Sequence, residues 1–321
     1  MLQAFEMNAL HKPAIFLMGP TASGKTGLAV ELAQRYPVEL ISVDSALVYR
    51  DMDIGTAKPD AETLARAPHA LIDIIDPTEA YSAAQFYSEA LELMAEITAR
   101  GKIPLLVGGT MLYFKALQGG LSDLPQANVD VRKNIENEAK KIGWQGLHIK
   151  LSKIDAETAA RLEPTDAQRI QRALEVYEIT GQPMSSLFKQ NISEELPYRL
   201  LKIALLPSER AVLHERIAQR FDIMLEQGLL DELTGLRQQY PQLSPDMPSM
   251  RCVGYRQAWQ YMDGEYGLPH LREKGIAATR QLAKRQMTWL RGMDDLTILD
   301  CLEAKLLDST SSTVGQFINC C

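Results

Sequence analysis

Residues 14–26 read Ala14-Ile15-Phe16-Leu17-Met18-Gly19-Pro20-Thr21-Ala22-Ser23-Gly24-Lys25-Thr26, an apolar run that turns abruptly into small and polar residues. The apolar part reads as a buried strand, and residues 28–36 then follow helical periodicity until Pro37 stops it. Between the two, residues 19–26 satisfy G-x-x-x-x-G-K-[ST], in the strand-to-helix context that this motif requires. Glycine lets successive backbone N–H groups converge on an anion, and the helix N-terminus adds partial positive charge. Lys25 bridges phosphate oxygens, and the Thr26 hydroxyl can ligate Mg²⁺. Gly19, Pro20, Thr21, Ala22, Ser23, Gly24, Lys25 and Thr26 are therefore the expected phosphate-binding residues.

Outward from this loop, short apolar runs recur at Val38–Val43, 71–75 and 104–107, separated by helical stretches such as 83–100. That alternation predicts an α/β fold with a parallel sheet flanked by helices. From Gly119 to Pro197 the pattern changes. Helical segments near 129–142, 156–162 and Ala167–Thr180 follow one another with no convincing strand between them. An all-helical inserted subdomain is expected at 123–198, within a P-loop core made of 1–122 and 199–321. A returning strand is predicted at 200–206, and helices follow it, with Ser208 as an N-cap.

With 321 residues the chain has room for two compact units, and 46% hydrophobic against 23% charged residues excludes a disordered or fibrous protein. The start lacks the pattern of a secretory leader, and its apolar run is far short of the ~20 residues that span a bilayer. No membrane association and a cytoplasmic location are expected. Cys252, Cys301, Cys320 and Cys321 are too few and too unevenly spaced for a disulfide framework, and the last two are read as surface thiols. The five histidines show no metal-ligand spacing and are read as surface or satisfied residues. The net charge of −7 argues against indiscriminate nucleic-acid binding, yet residues 251–291 carry eight Lys or Arg against three Asp or Glu. A local basic region is thus embedded in an acidic chain.

The loop recognises an anion and its metal, and other residues must say which molecule carries the phosphates. Most P-loop NTPases hold their metal with an Asp ending a second apolar strand, but here the run 103–107 ends in Gly108-Gly109-Thr110. The acid that does follow a strand is Asp44, at the carboxyl edge where doubly wound sheets place ligands. Asp44 should face the phosphate site; the same residue could instead cap the next turn.

The segments MGPTASGKT, LISVDSALVYRDMDIGTAKP, LLVGGTMLYFKAL, QRIQRALEVYEITG, RCVGYRQAW and ATRQLAKRQMTWLR resemble those of the bacterial tRNA dimethylallyltransferases. They are spread over residues 15–291, and the tail from 292 carries none of them. No Cys/His spacing of the zinc finger found in larger eukaryotic members occurs, so the chain is similar to the short bacterial form. The resemblance implies transfer of a five-carbon dimethylallyl group from its diphosphate, with Mg²⁺, to N6 of the adenosine 3′-adjacent to the anticodon (position 37) of tRNA. It implies Asp44 as general base and Thr21 beside the leaving oxygen. Arg220 is implied as a further diphosphate contact, although its spacing also suits a solvated helix face. Asp44, Ser45, Ala46 and Leu47 are implied to line the adenine end of the site, and Thr110 and Arg132 match tRNA-contacting positions.

The target base is stacked in the anticodon loop and must be splayed out to react. Arg251, Cys252, Val253, Gly254, Tyr255 and Arg256 form one candidate RNA-contacting cluster, with charge and an aromatic face, and Gln168, Arg169, Ile170, Gln171 and Arg172 form a second. At ~100° per residue, Arg280, Lys284 and Arg291 share one helix face, with Ala278, Leu282 and Trp289 roughly opposite on the packing side; a solvated stripe would look the same. Trp259 and Trp289 are read as core. The anticodon stem-loop and dimethylallyl diphosphate are the expected partners; no protein partner is evident, and a monomer is expected. A P-loop small-molecule kinase is the competing reading, followed by a nucleotide switch, for which no N-K-x-D motif is present.

Overall fold

The computed structural model describes residues 12–120, 124–190 and 196–319; His11, Cys320 and Cys321 lie outside these. The chain forms two compact units, one of residues 119–195 and one of the remainder. The main unit begins with β1 (Lys12–Met18), α1 (Lys25–Arg35), β2 (Val38–Val43), α2 (Ala61–Arg66), β3 (His69–Ala70), α3 (Ala83–Ala99), β4 (Ile103–Gly108) and α4 (Met111–Gly119). The second unit holds α5 (Val129–Ile154), α6 (Ala156–Arg161), α7 (Ala167–Thr180) and α8 (Met184–Gln190). The chain then returns through β5 (Tyr198–Leu206), α9 (Arg210–Glu226), α10 (Leu229–Gln239), a 3₁₀ turn (Ser249–Arg251), α11 (Tyr255–Met262), α12 (Leu268–Arg291), β6 (Thr297–Asp300) and α13 (Leu306–Asn319).

The six strands run parallel in the order β3-β2-β4-β1-β5-β6. Both faces are covered, which is why the strands read as unbroken apolar runs. Phe16, Met18, Ile41, Val43 and Leu106 pack on one side against Phe86, Met94 and Phe114 of α3 and α4. Ile15, Leu17, Leu40, Leu105 and Val107 pack on the other against Leu28 and Leu32 of α1 and Val314 of α13. A further core joins α9 to α12 through Phe221, Leu233, Met250, Tyr255 and Met287. Because the chain proceeds to one side of β1 for β2 to β4 and to the other for β5 and β6, the crevice at the carboxyl end of β1 is where such sheets hold ligands.

Several local expectations are revised. The predicted strand at 71–75 is displaced to His69–Ala70, because Leu71 and Asp73 take φ of 64° and 56° and break the extended chain; Ile75 keeps only an isolated bridge to Tyr49. Ser208 does not cap α9. Glu209 occupies that position without a side-chain cap, and the Ser208 N–H donates to Asp300 Oδ1 at 3.0 Å. That acceptor belongs to β6, which with α13 lies in the tail beyond the recognisable motifs and is only four residues long. Gly108 explains the missing carboxylate on β4: a Cβ there would sit 2.0 Å from the Val43 carbonyl oxygen, so no side chain fits.

In the second unit, α5 breaks at Gly143 (φ 73°), where the helical pattern ends, and Ile135, Leu147, Leu151, Ile170 and Leu174 form its core. Glu175 is fully buried within it and accepts hydrogen bonds from Arg132 (2.8 and 3.1 Å), Arg172 (2.7 Å) and the Asn128 N–H (2.8 Å). Burial alone would raise the Glu175 pKa, but these donors outweigh it and hold it below the usual carboxylate range. Its contribution is therefore present above the unfolded carboxylate pKa and is lost as pH falls through the folded value. Replacing charged hydrogen bonds worth about 1.5–3 kcal/mol, Glu175→Gln should raise amide exchange in α5 and α7 of the full chain about 10- to 100-fold at neutral pH. The difference from wild type should shrink toward acid.

Candidate active site

A cavity of about 590 Å³ opens at the carboxyl ends of β1, β2 and β4, in the main unit. Its floor is the loop between β1 and α1. Ala22 and Gly24 take φ of 64° and 81°, which turns the chain tightly into α1, and no side chain caps that helix. Its first N–H groups are left for an anion. Lys25 lines the cavity with Nζ donating to the Pro20 carbonyl at 2.8 Å, and Thr21 and Thr26 line it beside Lys25. Gly19 sits against the Leu205 carbonyl and Ser23 is buried, so these two build the loop rather than face the space.

Asp44 lines the same cavity. Its Oδ1 accepts from the Ala46 N–H at 2.9 Å, as the turn-capping reading expects, and orders residues 44–46. Ser45, Ala46, Leu47 and Thr110 continue the wall, with the Ser45 N–H donating to Thr110 Oγ1 at 3.0 Å. Arg220 reaches the cavity from α9 and donates to the Thr56 carbonyl at 3.3 Å; its spacing on the helix does not place it on a solvated face. Burial lowers the pKa of Arg220, and Asp44 opposes that shift. Removal from bulk water likewise pushes Lys25 down to about 8, against the pull of Asp44.

Of the cluster at 251–256, Arg251, Cys252, Val253 and Gly254 line the cavity and Arg256 is exposed. Burial pushes the Cys252 thiol up to about 12, which removes it as a nucleophile at neutral pH. Tyr255 is a correction to the expected aromatic face: it is fully buried, and its hydroxyl donates to Glu232. Glu232 also accepts from the N–H groups of Asp53, Ile54 and Gly55 at 2.9, 2.7 and 3.1 Å, and so ties down the loop that carries the Thr56 carbonyl to Arg220. No motif marks Glu232, because three of its four donors are backbone N–H groups 177 to 179 positions away.

Helix α12 also departs from expectation. Leu271, Gly275, Ile276, Ala283, Met287 and Leu290 form its packed face, and Arg280, Lys284 and Arg291 are exposed. Leu282 and Trp289 instead line the cavity; Trp289 is 40% exposed, with Lys115 Nζ 5.7 Å from its ring, whereas Trp259 is core as expected. His69 is not satisfied on both nitrogens. Its Nδ1–H donates to the Ala67 carbonyl at 2.7 Å, while Nε2 is buried at the cavity wall without a protein partner among the described residues. The second candidate cluster lies in the other unit. There Arg172 pairs with Glu175, Gln171 donates to Glu136 and to the Arg132 carbonyl, Ile170 is core, and Arg169 is exposed beside Asp166.

A parallel sheet with this loop at its switch point and a carboxylate lining the same cavity defines a P-loop protein. The model of the family described as IPP transferase matches residues 47–293, and the chain belongs to that family. It is 64% identical to the tRNA dimethylallyltransferase of Methylobacillus flagellatus, over 96% of this chain and 98% of that one, and 60% identical to that of Chromobacterium violaceum, over 89% and 88%. The full-length tRNA isopentenylpyrophosphate transferase of Bacillus halodurans superposes with a TM-score of 0.68 at 39% identity, covering 96% of both chains. A eukaryotic dimethylallyltransferase acting on tRNA gives 0.78 at 28% identity, covering 95% of this chain and 77% of that one. Among the described residues no helix is long and apolar enough to cross a membrane.

The lowered Lys25 pKa carries a testable consequence. A bound diphosphate favours the ammonium form and raises that pKa, so binding takes up a proton above pH ~8. Affinity for inorganic diphosphate, measured by calorimetry from pH 6.5 to 9.5, should fall as pH rises past about 8, by up to roughly tenfold per unit. Lys25→Arg, whose guanidinium stays charged, corrects for ionisation of the ligand and should show a flatter profile.

Proposed function

We propose that this chain transfers the dimethylallyl group of dimethylallyl diphosphate to N6 of the adenosine next to the anticodon of tRNA. The observation that carries the reading is membership of the family described as IPP transferase over residues 47–293, in a chain whose phosphate loop and Asp44 line one cavity. N6 attacks the allylic carbon, the carbon–oxygen bond to the diphosphate breaks, and the N6 proton passes to Asp44. Because the N6 lone pair is conjugated into the ring, loss of that proton as the bond forms lowers the barrier. Negative charge grows on the departing diphosphate, where the N–H groups opening α1, Lys25, Arg220 and the Thr21 hydroxyl can meet it.

The donor set suits Mg²⁺. Among the described residues no cluster of His, Cys, Asp and Glu forms a metal cage, but Thr26 lines the cavity and the Ser42 hydroxyl is buried at its wall without a partner. Mg²⁺ is held by few protein oxygens plus phosphate and water. Thr26 would hold it, and when bound it neutralises charge on the leaving group.

The tRNA is proposed to meet Arg251, Arg256 and the exposed face of α12 in one unit, and Arg169 in the other. Arg132 and Arg172 are engaged with buried Glu175, so Arg169, 72% exposed at its side chain, is the cleaner probe. Arg169→Glu should weaken anticodon stem-loop binding about three- to tenfold at low salt and less at high salt; unchanged affinity would count against contact by that helix.

Incubation with unmodified tRNA, Mg²⁺ and dimethylallyl diphosphate, followed by nucleoside mass spectrometry, should yield prenylated adenosine confined to the anticodon loop. Product absent while ATP is consumed in a parallel reaction would mean a kinase. In single-turnover assays Thr21→Ala should lose roughly 10²- to 10³-fold and Asp44→Ala more. Near-normal turnover by Asp44→Ala would remove the general-base role.

A further inference from the structure

Gln286 is buried on α12, more than 170 positions from the groups it touches. Its Oε1 accepts from the Thr21 N–H at 2.9 Å, and its Nε2 donates to the Gly109 carbonyl at 2.9 Å. One amide thus spans the phosphate loop and the turn after β4, using its acceptor on one and its donor on the other. The fit is tight, since a Cβ on Gly109 would lie 2.3 Å from Nε2. The path continues from Gly109 to Thr110, whose Oγ1 accepts from the Ser45 N–H, next to Asp44. In a phosphate loop the N–H groups ordinarily converge on the anion; here that of Thr21 is taken by Gln286.

We infer that Gln286 is a positioning residue that sets the separation between the leaving-group side of the cavity, at Thr21, and the proton-accepting side, at Asp44; this rests on the proposed prenyl transfer. Gln286 need not touch either substrate. Reaction requires the leaving oxygen, the allylic carbon and the amine to be aligned, and a misplacement of about 1 Å costs on the order of 10²-fold in rate. A side chain with a donor and an acceptor on one planar group of this length bridges an N–H and a carbonyl at once. Methionine makes neither bond. An ionised carboxylate keeps the Thr21 contact and repels the Gly109 carbonyl, whereas a protonated carboxyl restores both, its O–H donating to Gly109 and its carbonyl oxygen accepting from Thr21.

The test uses the full chain with saturating dimethylallyl diphosphate and an anticodon stem-loop. For Gln286→Met the single-turnover rate should fall on the order of 10²-fold, with affinity for inorganic diphosphate within threefold of wild type. For Gln286→Glu the rate relative to wild type at the same pH should rise as pH is lowered from 8 to 5.5. A Gln286→Met rate within threefold of wild type, or a pH-independent ratio for Gln286→Glu, would overturn the inference. Gln286→Glu differs little in shape and decides the matter if Gln286→Met fails to fold. Amide exchange at Thr21, faster in Gln286→Met than in wild type at pH 8, reports the loss of the bridge without turnover. If wild type forms no prenylated adenosine, it is the functional reading that fails, whatever exchange shows.

Discussion

At their carboxyl ends β2 and β4 lie so close that Gly108 has no room for a side chain beside the Val43 carbonyl oxygen. Much of the site follows from that contact. The position where many phosphate-loop enzymes keep a metal-binding acid is sterically closed, and the carboxylate that lines the cavity follows the neighbouring strand, as Asp44. Being one strand farther from β1, roughly 4.8 Å more, Asp44 stands off from the phosphate loop. In the proposed prenyl transfer the reacting carbon and the amine would lie between the loop and the acid. The same crowding continues at Gly109, whose bare backbone lets the Gln286 amide reach its carbonyl.

The cationic side of the cavity is held in part by groups outside its lining, Glu232 and Tyr255. Lys25 and Arg220 are both driven toward their neutral forms by burial, and both are pulled back by Asp44. A polyanion bound there would relieve the two cations far more than one carboxylate does. Arg220 is steadied by the Thr56 carbonyl, and the loop carrying it is pinned by Glu232 through three backbone N–H groups and Tyr255. Tyr255, whose sequence position suggested a base-stacking surface, is instead part of this support, and Trp289 lines the cavity together with Tyr49, Tyr81 and Phe221.

The second unit uses its arginines differently from the way a count of charges suggests. Arg132 and Arg172 converge on one buried carboxylate and with it order the start of α5 against α7. Removing either would disturb the unit itself, so its basic character and its stability are entangled in the same residues.

By itself the sequence determined the phosphate loop, the alternation of parallel strands and helices, the helical interruption, and Asp44 as the acid beyond β2. Each of these is written in local spacing: a strand-to-helix turn, a change of hydrophobic period, a carboxylate at a strand end. The tertiary structure decided the rest. Gln286, Glu232 and Trp289 acquire their roles only when α10 and α12 pack against distant loops, 177 to 265 residues away in the contacts of Glu232 and Gln286, and Tyr255 and Trp289 exchange their expected environments in the process. Helical periodicity says that a face is apolar but not whether that face meets a core or a cavity, because both exclude water from the same side chains.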